Sequence, residues 1–136
     1  VLNPAQLDQA LEAGAQFIVS PGLTETLGKA AIASGVAFLP GIATAADIMR
    51  GMDLGLSRFK FFPAETSGGL PALKALAAPF HTARFCPTGG IKFETAGNWL
   101  AESAVKCVGG SWLVPKGPVD THRIEELARA AASLHG

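Results

Sequence analysis

Five short apolar segments recur along the 136-residue chain at intervals of a little more than 20 residues, and this repeat constrains the fold most strongly. Each segment is only a few residues long and is closed by proline or glycine. Continuous apolar runs bounded by turn residues are typical of strands in parallel sheets, which are buried on both faces. The spacing therefore predicts a repeated unit that begins with a strand. The predicted strands lie within residues 16–22, 36–44, 59–65, 84–90 and 105–112.

The stretches between these strands favour helices by composition or by apolar residues at i, i+3 and i+4. Asn3 followed by Pro4 is a favourable cap and first residue for the leading helix. Further helix starts are predicted at Thr24, Thr44 and Thr121, and helix ends at Gly14, Gly35 and Gly55. The predicted helices lie within residues 7–14, 24–34, 45–55, 70–79, 95–103 and 122–136.

One helix followed by five strand–helix units implies an α/β fold with a parallel sheet and right-handed crossovers. Two architectures fit this pattern: an open doubly wound sheet and a (β/α)8 TIM barrel. The even repeat and the lack of a glycine fingerprint in the first strand–helix turn favour the barrel. A complete barrel needs about 200 residues or more. We therefore expect residues 1–136 to be the C-terminal five βα units of a single barrel, preceded by one helix.

The composition excludes several classes of partner. Eleven basic residues balance eleven acidic ones, which gives no electrostatic reason to expect binding to nucleic acid or to a membrane surface. No apolar stretch approaches the roughly 20 residues of a transmembrane helix. Cys86 and Cys107 do not form a disulfide framework. We expect them to be reduced, small core residues on neighbouring strands of a cytoplasmic protein.

Glycine pairs follow the last two predicted strands, at Gly89-Gly90 and Gly109-Gly110. If the final helix closes a barrel, these strands are the seventh and eighth. The loops after those strands often bind phosphate in barrel enzymes, and glycine allows backbone N–H groups to approach an anion closely. The alternative is that both pairs are only tight strand-to-helix turns.

The three histidines offer no metal site or Ser-His-Asp arrangement. His81 lies in a helix-to-strand loop, at the end of the barrel opposite the expected site. His122 begins the last predicted helix, and His135 lies in the tail. Their spacing matches no set of metal ligands, so we expect solvated histidines and no metal or other cofactor.

Lys60 interrupts a phenylalanine-rich strand in the sequence RFKFFPAE. A lysine that is withdrawn from water loses proton affinity, and its neutral amine can form a Schiff base with a ketone. Alternatively, the lysine stem packs while the ammonium group stays in water. Lys106, in VKCVGG, has a comparable position before a turn. These arguments leave the two lysines equally eligible.

Four segments, VLNPAQL, RFKFFPAE, RFCPTGG and VGGSWLVP, resemble the KHG/KDPG aldolase family over the whole chain. The resemblance implies a class I, metal-independent aldolase on a (β/α)8 barrel, usually a homotrimer. Such an enzyme cleaves 2-keto-3-deoxy-6-phosphogluconate (KDPG) to pyruvate and glyceraldehyde 3-phosphate in the Entner-Doudoroff pathway. Many members also cleave 4-hydroxy-2-oxoglutarate to pyruvate and glyoxylate. The implied partners are therefore small phosphorylated keto acids and pyruvate.

The resemblance also assigns roles to individual residues. Lys60 matches the lysine that forms the Schiff base, and Thr88 matches a threonine of the pyruvate pocket. Pro21 and Phe62 match residues that line this pocket. The implied phosphate ligands are Gly89, Gly90, Gly109, Gly110 and Ser111.

Three functional residues of the family cannot be assigned in this chain: the general acid/base glutamate, an arginine that binds the substrate carboxylate, and a threonine. Glu65 is the only carboxylate directly at a strand end, and we expect a structural role for it. Two other functions stay open. One is a non-catalytic, phosphate-binding piece of a barrel, and the other is the related aldolase for the 6-phosphogalactonate analogue.

Overall fold

The structure is a computed structural model that describes residues 1–134, so His135 and Gly136 lie outside the described residues. Strands and helices alternate as predicted through the first four units. No helix within residues 1–134 is long and apolar enough to cross a membrane. The strands are β1 (Phe17–Val19), β2 (Ala37–Leu39), β3 (Gly41–Ile42), β4 (Arg58–Phe61) and β5 (Arg84–Pro87). The α-helices are α1 (Pro4–Glu12), α2 (Glu25–Ala33), α3 (Ala45–Asp53), α4 (Gly69–Ala77), α5 (Phe93–Leu100) and α6 (Thr121–Ala132).

The helix caps follow the prediction at three of four positions. Asn3, Thr24 and Thr44 accept hydrogen bonds from the first-turn N–H groups of α1, α2 and α3. The prediction for Thr121 is wrong, because Asp120 is the residue whose side chain caps α6. The predicted stops at residues 14, 35 and 55 are confirmed as glycines with positive φ, a conformation that glycine adopts without strain.

The strands pair in parallel but form two sheets, where the sequence predicted one. β1 pairs with β2, and β3, β4 and β5 form the second sheet. Pro40 separates β2 from β3 within the second predicted strand. Proline lacks an N–H and cannot donate to a ladder, although the Pro40 carbonyl still accepts a hydrogen bond from Lys60 N–H at 2.8 Å.

The prediction of a fifth regular strand is wrong. Residues 105–109 make only two isolated bridges to the β5 region, from Val105 to Phe85 and from Gly109 to Thr88. Three residues separate Val105 from Gly109, whereas two separate Phe85 from Thr88, so the segment contains one extra residue. This extra residue is a β-bulge, which interrupts the ladder. A 3-10 helix, Ser111–Leu113, follows.

The larger sheet buries one face against the helices. Phe59, Phe61 and Phe85 project from β4 and β5 into the core, where they meet side chains such as Leu73 and Trp99. Lys60 and Cys86 alternate with these phenylalanines and lie on the opposite face, where both are half-buried. The expectation of strands buried on both faces therefore does not hold in this chain.

Candidate active site

Lys60 lies at the centre of the face of β4 that points away from the helices. In the sheet register it stands beside Gly41 of β3 and Cys86 of β5. Its Nζ is 4.4 Å from the centroid of the Phe62 ring, within the range of a cation–π contact. Lys60 takes part in none of the ion pairs found among residues 1–134. The amine is therefore held by an aromatic ring and left free of a carboxylate.

Lys106 has a different environment from Lys60. It lies at the bulge in the last extended segment, and its side chain is exposed. Only its backbone joins the ladder, where Lys106 N–H donates to the Phe85 carbonyl at 3.0 Å. The structure thus separates two lysines that sequence position alone left equivalent.

Parallel pairing continues past the ends of β4 and β5 and brings their loops together. Ala64 N–H donates to the Thr88 carbonyl at 2.8 Å, and Glu65 N–H donates to the Gly89 carbonyl at 3.0 Å. Thr88 also forms the bridge to Gly109. Lys60, Thr88 and both glycine pairs are therefore gathered along one edge, at the carboxyl ends of neighbouring strands.

Each of the four glycines has a packing reason to be glycine. Gly89 and Gly90 have φ values of 105° and 81°. A Cβ on Gly90 would lie 2.8 Å from the Glu65 side chain, and one on Gly109 would lie 2.8 Å from Thr88 Oγ1. A Cβ on Gly110 would overlap the Trp112 ring. These contacts favour the tight-turn alternative as strongly as phosphate binding, so the phosphate role stays a prediction.

The other predicted pocket residues lie on loops of the same edge. Pro21 follows β1 and is exposed. Its carbonyl group packs so closely on Gly41 that a Cβ added to Gly41 would overlap the carbonyl. Phe62 follows β4 and lies beneath the Lys60 amine. Ser111 is exposed at the start of the 3-10 helix. Pro21 thereby joins the site through Gly41, the register neighbour of Lys60.

Glu65 links this edge to helix α5. Its Oε1 accepts a hydrogen bond from Trp99 Nε1 at 3.2 Å, while its backbone N–H holds the Gly89 carbonyl. Trp99 is only 2% exposed and packs near Phe61, with ring centroids 6.3 Å apart and ring planes tilted by 48°. The contacts give Glu65 the structural role that the sequence led us to expect.

The two cysteines correct the expectation that both are core residues. Cys86 is half-buried, Cys107 is exposed, and both thiols are free. Their thiols influence one another, since the Cys86 thiol lowers the pKa of Cys107 and Cys107 raises that of Cys86. Sequence analysis predicted that the two cysteines lie on neighbouring strands but missed the interaction of their thiols. Its signal is that each cysteine precedes, by two residues, a partner in the Thr88–Gly109 bridge.

Comparison with known proteins places the chain in a family. Residues 1–130 match the family model for KDPG and KHG aldolase. The chain is 58% identical over 134 residues to the 2-dehydro-3-deoxy-phosphogluconate aldolase of Zymomonas mobilis, covering 98% of the chain and 64% of that relative. It is 54% identical to the KHG/KDPG aldolase of Escherichia coli K12, covering 96% of the chain and 63% of that protein.

Solved structures give the same assignment. The 2-keto-3-deoxy-6-phosphogluconate aldolase of Zymomonas mobilis with 3-phosphoglycerate matches 98% of the chain and 64% of its own length, with 57% identity and a TM-score of 0.97. The Legionella pneumophila KDPG aldolase, with pyruvate captured as a covalent carbinolamine, matches all of the chain and 66% of its own, with 38% identity and a TM-score of 0.90. The chain, which spans 64% of the length of the Zymomonas relative, belongs to the KDPG and KHG aldolase family.

Proposed function

We propose that this chain carries the Schiff-base lysine and the substrate pocket of a class I aldolase. The substrate is KDPG, which is cleaved to pyruvate and glyceraldehyde 3-phosphate, and 4-hydroxy-2-oxoglutarate is a second substrate that yields pyruvate and glyoxylate. The observation that carries the proposal is the position of Lys60. Its amine is half-buried and free of any ion pair within residues 1–134, and it lies on the edge that holds Thr88 and both glycine pairs.

In this mechanism the neutral Lys60 amine attacks the C2 ketone of the substrate and forms a carbinolamine. Loss of water gives an iminium, which accepts the electron pair of the C3–C4 bond as the C4 hydroxyl loses its proton. Glyceraldehyde 3-phosphate leaves, and an enamine of pyruvate stays on the lysine. Protonation at C3 and addition of water then release pyruvate and restore the amine.

The surroundings of Lys60 suit the covalent steps. The Phe62 ring lies against the amine, and Thr88 supplies a hydroxyl on the neighbouring loop. The proposed ligands of the substrate phosphate are the two glycine pairs and the serine that follows them: Gly89, Gly90, Gly109, Gly110 and Ser111. Backbone N–H groups in such a turn can bind the anion without a cationic side chain.

The comparisons favour KDPG over the galactonate analogue. Relatives at 54–58% identity are KDPG or KHG/KDPG aldolases, whereas a structure described as native KDPGal is 28% identical, with a TM-score of 0.87. By the same likeness we propose that residues 1–136 contribute βα units to a (β/α)8 barrel. We further propose that the enzyme is a homotrimer of the reducing cytoplasm.

The experiment is to trap the Schiff base. Incubating the chain with pyruvate and sodium borohydride should reduce the iminium to a stable secondary amine, and peptide mapping should locate it at Lys60. Lys60→Arg should abolish trapping, because a guanidinium is not deprotonated in proteins. Lys106→Arg is the matched control and should trap as the unaltered chain does. Circular dichroism should show the same helix content in all three proteins.

Turnover should behave differently from trapping. The glutamate that the resemblance implies as general acid/base has no assigned counterpart in this chain. General acid–base catalysis is typically worth about 10²–10⁴-fold, so the chain alone should cleave KDPG slower than the Escherichia coli relative by about that factor. An adduct on Lys106, or no adduct in a folded chain, would refute the role of Lys60 and favour a non-catalytic, phosphate-binding protein.

A further inference from the structure

Cys86, the register neighbour of Lys60, and Cys107 lie on neighbouring extended segments. The bridges from Phe85 to Val105 and from Thr88 to Gly109 enclose both cysteines. Adjacent strands lie about 4.7–4.9 Å apart. The Cα atoms of a disulfide are usually about 4.4–6.8 Å apart, so this spacing suits a bridge. The extra residue of the bulge lies between the two bridges, where it interrupts the regular ladder.

The two thiols differ in a way that divides their roles. Interaction with the Cys86 thiol lowers the pKa of Cys107 to about 7, against an opposing effect of burial. Interaction with Cys107, followed by burial, raises the pKa of Cys86, although Thr88 and Lys60 act in the opposite direction. Cys107 is the more exposed of the two. Cys107 is therefore the thiolate that reacts with an oxidant, and Cys86 is the second thiol, which completes the disulfide.

We propose that Cys86 and Cys107 form a redox modification site, in which a peroxide converts the two thiols into a reversible disulfide next to Lys60. The Cys107 thiolate attacks a peroxide oxygen, the O–O bond breaks, and Cys107 becomes a sulfenic acid as water leaves. Cys86 then loses its proton, and its thiolate attacks the Cys107 sulfur and forms the S–S bond. The S–O bond breaks, and the departing hydroxide takes up that proton and leaves as a second water. One hydrogen peroxide is reduced to two waters as two thiols are oxidised.

The disulfide would alter the proposed substrate pocket through Thr88. Thr88 Oγ1 is 3.9 Å from Cys86 Sγ, and its side chain packs against Gly109. Bonded sulfurs are only about 2.05 Å apart, so closing the bridge draws the Cys107 segment toward β5 and displaces this threonine. Cys86 is also the register neighbour of Lys60. Oxidation should therefore slow adduct formation at Lys60, an effect that rests on the proposed aldolase function.

The test begins with the bridge itself and needs no enzyme activity. The reduced chain is treated with one equivalent of hydrogen peroxide, alkylated with iodoacetamide and digested with trypsin. A disulfide should join residues 85–92 to residues 107–116, and dithiothreitol should separate them. Cys107→Ser should yield no bridge. Cys86→Ser should leave a Cys107 sulfenic acid that dimedone captures.

A parallel reaction in urea distinguishes a bridge made by the fold from one made by a flexible chain. Bridging should be several-fold faster in buffer than in urea. The proposal is overturned if no linked peptide forms in buffer, if the rates are equal, or if the link joins two chains.

Trapping of pyruvate with sodium cyanoborohydride, which reduces an iminium but leaves a disulfide intact, then tests the consequence for Lys60. The oxidised chain should trap several-fold more slowly than the reduced one, and dithiothreitol should restore the rate. A bridge with unchanged trapping would overturn the regulatory part alone. A bridge in a chain that traps no pyruvate even when reduced would refute the proposed function and leave the redox site intact.

Discussion

The two sheets are built from the same strand–helix repeat but differ in how much they bury. The β1–β2 sheet packs on a cluster of four buried residues, Leu7, Ile18, Leu27 and Ala31. The β3–β4–β5 sheet packs on a cluster of twelve, which includes three phenylalanines and a tryptophan. Phe17 of β1 is 55% exposed, whereas Phe59 of β4 is fully buried. The larger sheet is thus the better-packed half of the described chain.

The candidate site residues follow this difference. Lys60 lies on the larger sheet, Thr88 and Gly89 follow its last strand, and Gly109 bridges to it. Pro21 is the exception, since it reaches the site from the smaller sheet through its contact with Gly41. Reacting groups need support from elements whose own positions are fixed by packing. The comparison teaches that most of the candidate site residues lie on the half of the chain with the larger core.

The first and largest test of this comparison truncates one core residue in each half. Phe59→Ala should lower the free energy of unfolding by about 3–5 kcal/mol, because it removes a ring that packs on Phe85, with ring centroids 6.3 Å apart. Leu27→Ala should cost about 2–3 kcal/mol, since the small cluster around it can collapse more readily. Urea denaturation followed by circular dichroism measures both.

Pyruvate trapping by the same two variants sharpens the result. Under conditions where both variants are folded, Leu27→Ala should trap at the normal rate, and Phe59→Ala should trap more slowly because Phe59 adjoins Lys60 in β4. If Leu27→Ala slowed trapping as much as Phe59→Ala, the two halves would act as one unit and the comparison would fail.

The second test concerns the link between the larger core and its loops. Glu65→Ala removes the acceptor of the Trp99 Nε1 hydrogen bond. A buried donor without a partner typically costs about 1–3 kcal/mol. Glu65→Gln keeps an oxygen in the same place and should recover most of that loss. Equal unfolding midpoints for the alanine and glutamine variants would show that the hydrogen bond contributes little.

Local signals predicted the elements well and their assembly less well. Capping residues and the positive-φ glycines act within one or two turns of chain, so the helix boundaries at Asn3, Thr24 and Thr44 could be predicted. The sequence also shows that Pro40 has no N–H to donate, but whether a proline divides a strand depends on the hydrogen bonds of the neighbouring strand. The bulge after Val105 depends on a register with β5 that no local pattern encodes.

For the candidate site, the sequence indicated which segments carry the residues but not how those residues contact one another. The phenylalanine alternation around Lys60 indicated a strand, and the resemblance singled out this lysine over Lys106. Nothing in the sequence showed that Lys106 would be exposed, because its exposure depends on how the last segment pairs with β5. The neighbouring positions of Cys86 and Cys107 were predicted, but the interaction of their thiols was missed because it depends on the register between distant segments.

The third and smallest test concerns helix α3, which connects β3 to β4 of the larger sheet and reaches the smaller half through Arg50. Asp47 and Thr44 form a capping box at its start, and Arg50 donates both to Asp47 and, at 3.3 Å, to the carbonyl of Leu23 in the smaller half. Burial acts to raise the pKa of Asp47. Hydrogen bonds from the N–H groups of Ala43 and Thr44, the Thr44 hydroxyl and Arg50 outweigh it and lower this pKa.

A carboxyl group whose pKa is lowered by folding stabilises the folded state above its unfolded pKa of about 3.9, and that stabilisation is lost as the pH falls through the lower, folded value. Asp47→Asn should therefore cost about 0.5–1 kcal/mol at neutral pH, the usual range for a weakened helix cap. The difference from the unaltered chain should shrink as the pH falls below about 4. Asp8→Asn, at an exposed position on α1, is the matched control and should show little change at either pH. Urea unfolding at several pH values measures the difference, and a cost for Asp47→Asn that stayed constant into acid would mean that its charge contributes nothing to the junction between the two halves.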